Sequence, residues 1–80
     1  MSAQVREEMQ RRGIPLGVVR AVLAAPGQKI PEHDPVVCYQ SVVEINRKPY
    51  LVRVMVNETV TPPKVVTVYR ASKIRKYWKP

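Results

Sequence analysis

The stretch "YLVRVMVN", Tyr50–Asn57, alternates along its whole length. Tyr50, Val52, Val54 and Val56 fall on one side, and Leu51, Arg53, Met55 and Asn57 on the other. Side chains of a strand point to opposite faces in turn, so this pattern predicts a strand with one aliphatic face and one mixed face. The same bias toward β-branched residues marks strands over 36–45 ("VVCYQSVVEI") and 64–70 ("KVVTVYR"). "NRKP" reads as a turn and "ETVTPP" as a longer loop. Short connections make the sheet an antiparallel meander. In the last strand, Val66 and Val68 are expected on one face and Val65, Thr67 and Tyr69 on the other. Aligned registers would then gather Arg53, Thr67 and Tyr69 on one side of the sheet.

Upstream, the spacing changes to that of helices. "SAQVREEMQRRG" predicts a helix capped by Ser2 and closed by a left-handed Gly13. Val5 and Met9 form its apolar stripe, and Glu7–Arg11 and Glu8–Arg12 are spaced to pair on its outer face. "IPLGVVRAVLAAPG" predicts a second helix, with Pro15 at its first position and Leu16, Val19, Val22 and Leu23 facing inward. The expected fold is α+β: a helical hairpin over 2–25 packed on a small antiparallel sheet of three to four strands, in one domain spanning 1–80. Residues 26–35, broken by Pro31 and Pro35, are expected to be loop. Residues 71–80 form a basic tail, which either starts a last helical turn capped by Ser72 or runs along the sheet edge.

The charge is one-sided. Net charge is +8, yet residues 1–45 hold five cations and five anions. Residues 46–80 hold nine cations and a single anion, Glu58. Such asymmetry suggests an anionic partner, nucleic acid or an acidic protein. The competing reading is that lysines keep a small sheet soluble and blunt its edges. No stretch reads as a signal peptide, since Arg6, Glu7 and Glu8 stand where an apolar core is needed. No uncharged apolar stretch approaches the ~20 residues of a membrane span. The expected location is the cytoplasm, without membrane contact.

Most catalytic options fail on inventory. Glu32-His33-Asp34 cannot easily build a metal site from three adjacent residues, and an ordinary solvated loop is the better reading. Cys38, in an apolar strand, reads as a buried thiol. No glycine-rich phosphate loop exists, and no cofactor is called for. What remains is Arg, Lys and Tyr toward the end of the chain. That set suits RNA cleavage by the RNA's own 2′-hydroxyl, which needs proton transfer and cations around the phosphorane but no metal. Arg53, Tyr69 and Lys73 are the candidate catalytic residues. Arg47, Lys48, Arg70, Arg75, Lys76 and Tyr77 are candidates for RNA contact. Tyr and Lys, with ordinary pKa values near ~10, need a lowered pKa to act as bases. Composition alone favours simple binding of RNA or an acidic partner over catalysis.

Three segments carry a resemblance: "MQRRGIPLGVVRAVLAAPG", "YLVRVMVNE" and "VVTVYRASKIRKYW". Together they resemble the DUF4258 family, with its R-G-I-x-x-x-x-V hairpin and closing V-T-V-Y-x-x-S-K-I-x-K-Y segment. Thr67, Tyr69, Ser72, Lys73, Ile74, Lys76 and Tyr77 match the closing segment. That family is similar to the RelE-like toxins of the barnase–colicin–RelE endoribonuclease group. The resemblance implies a RelE-like fold, metal-independent cleavage of messenger RNA, often on the ribosome, and neutralisation by an antitoxin. One departure stands out. Members often carry a His near the start of the first helix and an Arg four residues later, where this chain has Gln4 and Glu8. Cleavage would then fall to the C-terminal Tyr and Lys residues, or the chain binds RNA without cutting it. A basic protein–protein module is the remaining alternative.

Overall fold

A computed structural model describes residues 1–80. Two helices, α1 (Ala3–Arg11) and α2 (Leu16–Ala24), precede four strands. These are β1 (Gln28–His33), β2 (Val36–Ile45), β3 (Lys48–Asn57) and β4 (Lys64–Ala71), followed by a single turn of helix, α3 (Ile74–Tyr77). The strands pair in chain order, each antiparallel to the next. The molecule is thus α+β with a four-stranded meander. No helix is long and apolar enough to cross a membrane.

Helix ends follow the expected chemistry. Ser2 Oγ accepts the Val5 backbone N–H at 3.2 Å and caps α1. Gly13, at φ +66°, takes the left-handed conformation that ends it. Pro15 is the cap of α2 rather than its first helical residue. Each helix lies on the sheet, α1 against β4 and α2 against β2 and β3. Val5, Met9, Ile14, Val19 and Val22 meet Val52, Val54, Val56 and Val68 there. The alternation of β3 made this possible: its even-numbered residues supply the floor of the core.

Three differences from the sequence reading matter. Residues 26–35 are not simply loop, because Gln28–His33 pairs with β2. Pro31 is tolerated since β1 is an edge strand, whose outer side needs no donors. The turn after β2 narrows to Asn46 and Arg47, both at positive φ, so β3 begins at Lys48. The register of β4 shifts by one: Thr67 pairs with Met55, but Val65 pairs with Val56. This bulge turns Val65 onto the core, leaving Val66 exposed as the extra residue. The expected faces of Val65 and Val66 are therefore exchanged, while Thr67 and Tyr69 stay where alternation put them.

Candidate functional site

The sheet face away from the core is covered only in part. Arg53, in the middle of β3, sits opposite Gln40 of β2 and Tyr69 of β4. It is 5% exposed, a rare state for arginine, and its surroundings account for it. Its Nε donates to Gln40 Oε1 at 2.8 Å. Nη1 donates to the Tyr69 hydroxyl, and Nη2 forms an ion pair with Glu32. The Tyr77 ring covers the guanidinium at 4.5 Å, and Tyr69 flanks it at 5.5 Å. The two tyrosine rings meet edge to face, with centroids 6.4 Å apart.

Gln40 extends this network to the end of the chain. Its Nε2 donates to Gln28 Oε1 at 2.8 Å and to the Tyr77 carbonyl at 3.2 Å. Gln28 in turn grips Lys79 twice, donating to its carbonyl at 2.6 Å and accepting its N–H at 3.1 Å. Trp78 lies over Gly27. The tail is therefore a strap: α3 and the residues after it cross this face and hold Tyr77 over Arg53. Of the two arrangements expected for the tail, the helical turn is present. Its cap is Lys73, however, and Ser72 contributes only its carbonyl.

Beside the strap the face opens into a cleft of about 360 Å³, lined by Glu32, His33, Arg53, Met55, Thr67 and Tyr69 among others. A bulge in β1 explains the first two. Glu32 is skipped in the pairing with β2, and register resumes at His33. Consecutive strand residues normally face apart; the bulge lets both line one cleft. From sequence alone these two read as solvated loop. A bulge leaves little trace in sequence, and Pro31 argued against a strand at all.

The electrostatics define what each group can do. Burial works against the Arg53 charge, but Cys38, Tyr69 and Glu32 outweigh it, and its pKa is raised above the usual value. Arg53 is a permanent cation. Burial pushes the Tyr69 hydroxyl up, with Arg53 opposing. Tyr69 thus keeps its proton at neutral pH, making it a donor and not a base. Burial also raises the Cys38 thiol, so it stays protonated inside the sheet. No group of three His, Cys, Asp or Glu side chains converges as metal ligands would.

The other sequence candidates are dispersed. Arg70 pairs with Val52 and so faces the helical side, opposite to Arg53, with its guanidinium 4.4 Å from the Tyr50 ring. Arg47 and Lys48 stand exposed at the β2–β3 turn, at the far end of β3 from the cleft. Lys73 and Arg75 are exposed on the strap, and neither lines a cleft with Arg53. Lys76 does reach Arg53's surroundings, lining a second cleft with Glu32 and Tyr77. The expected centre of Arg53, Tyr69 and Lys73 is thus brought together only as Arg53 and Tyr69. Comparison with family models, curated proteins and solved structures finds no match to this chain.

Proposed function

We propose that the protein is a small RelE-like toxin, a metal-independent endoribonuclease acting on messenger RNA in the cytoplasm. The observation that supports it most is the cleft between the β1 and β4 bulges, which places Glu32, His33, Arg53 and Tyr69 around one opening. The RNA's 2′-hydroxyl would attack the adjacent phosphorus, forming the 2′-O–P bond as the P–O5′ bond breaks. Glu32 is the carboxylate placed to accept the hydroxyl proton. Tyr69, which keeps its proton at neutral pH, returns a proton to the departing 5′-oxygen. Arg53, fixed by Gln40 and Tyr69, stabilises the charge that gathers on the phosphorane. Lys76 and Tyr77 add a cation and a stacking ring at the margin. The basic second half of the chain suits both RNA and an acidic antitoxin, and the ribosome is the natural place to meet messenger RNA.

The test is incubation of purified protein with RNA in the presence of a chelator, alone and on ribosomes, scored for 2′,3′-cyclic phosphate ends. Cleavage should be lost in Glu32→Gln and fall at least tenfold in Tyr69→Phe. Absence of any new ends, with RNA binding retained, overturns catalysis. One observation favours that second reading of a binding module: three of Arg53's donors are already committed within the protein.

A further inference from the structure

The arginines at the end of α1 lack the partners their spacing provides. Glu7–Arg11 and Glu8–Arg12 have the separation of helical ion pairs, yet neither pair forms. The protein's two ion pairs are Lys29–Glu58 and Arg53–Glu32. Glu8 turns instead to the Thr67 hydroxyl, which donates to it at 2.8 Å. Arg12 reaches across to β4 and donates to the Val68 carbonyl at 2.8 Å. Two residues further along β4, Arg70 reaches back to the Gly13 carbonyl at 3.4 Å. The result is a cleft of about 470 Å³ between α1 and the β4 edge, lined by Gln10, Arg11, Arg12, Gly13, Tyr69 and Arg70. Three of these six residues are arginines and none is acidic.

We infer that this cleft binds a phosphodiester group of the RNA, one separate from the phosphate that is cut. The inference rests on the RNA reading above. The C-terminal end of a helix favours a cation, which accounts for Arg11 or Arg12 singly. It does not account for a strand arginine converging on the same opening. Three cations together repel unless an anion joins them. Arg12 and Arg70 are held by carbonyl contacts and by the Tyr50 ring, yet each guanidinium has five N–H donors and spends few of them here. Pre-positioned planar forks with donors to spare match phosphate oxygens. Tyr69 lines both this cleft and the one holding Arg53 and Glu32. A strand of RNA crossing the β4 edge at Tyr69 would therefore place one phosphate beside Arg53 and another among these arginines.

Binding of a fluorescent single-stranded RNA of about ten nucleotides, followed by anisotropy over a series of salt concentrations, tests this. The Arg11 side chain makes no hydrogen bond or ion pair, so Arg11→Gln leaves the fold alone, as a thermal melt will verify. Losing one phosphate contact to single-stranded RNA lowers the salt slope by about 0.7 and, near ~0.1 M salt, weakens binding about fivefold. Arg20→Gln removes an exposed cation from α2 and should change neither. Equal slopes in the two variants overturn the inference while RNA binding itself stands. Wild-type protein that binds no RNA removes the parent reading and this one together. Poly-glutamate that displaces the RNA with the same dependence on Arg11 overturns the phosphodiester assignment in favour of an acidic protein chain.

Discussion

Replacing Arg53 by alanine should remove a large share of the protein's stability. The change strips Gln40 Oε1 of its 2.8 Å partner and leaves only the weak Cys38 thiol at 3.8 Å. Gln40 is fully buried, and a buried acceptor left unpaired costs about 1–3 kcal/mol. The arginine stem loses packing beneath Tyr77, adding about 1 kcal/mol. Glu32 keeps 31% of its side-chain surface exposed, so water takes over much of the lost ion pair and that loss is small. The sum is about 2–4 kcal/mol, overlapping the lower end of the range for breaking a buried charge pair from one side. A chain of this length has about 4–12 kcal/mol in total. Urea unfolding followed by the fluorescence of Trp78 will measure it. Arg53→Met combined with Gln40→Leu removes both polar ends and should recover part of the loss. A cost for Arg53→Ala below about 1 kcal/mol would refute the structural role assigned to the network. Loss of activity in Arg53→Ala says little about catalysis; Tyr69→Phe is the informative variant.

Three further outcomes follow from the geometry. A Cβ on Gly27 would stand 2.9 Å from Trp78 Cη2, so Gly27→Ala should push the indole into water and shift its emission to the red; an unchanged spectrum would contradict the strap. Gly13→Ala must hold φ near +66° and should cost about 1 kcal/mol in urea unfolding, with Gly13→Asn costing less. Tyr69's pKa is raised from 10.0, so the folded state holds its proton longer than the unfolded chain does. Stability from this group is present below pH 10 and is lost as pH rises through the higher folded value, and Tyr69→Phe should flatten that alkaline decline in stability.

The core was legible because it is built from simple periodicities. Alternation in Tyr50–Asn57 located β3, and the Val5–Met9 spacing located the buried stripe of α1. The same alternation predicts Arg53, Thr67 and Tyr69 on one face, and the register sets Arg53 directly opposite Tyr69. Legibility failed where one residue interrupts the count. The β4 bulge exchanged Val65 and Val66, and the β1 bulge hid Glu32 and His33 in a segment that its prolines made look irregular. Charge pairing failed for a different reason. Spacing on a helix says which groups can meet, but Thr67 of a strand 59 positions away competes for Glu8 and wins. Arg53 and Arg70 read alike in sequence, as cations late in the chain; strand parity separates them onto opposite faces.

The strap also ties the edge of the sheet to the cover over Arg53. Gln28 of β1 holds both the carbonyl and the N–H of Lys79, and Gln40 of β2 holds the Tyr77 carbonyl. Releasing this one short segment would uncover the Arg53 guanidinium and free both glutamines at once, so a few residues outside the sheet govern how much of this face water can reach.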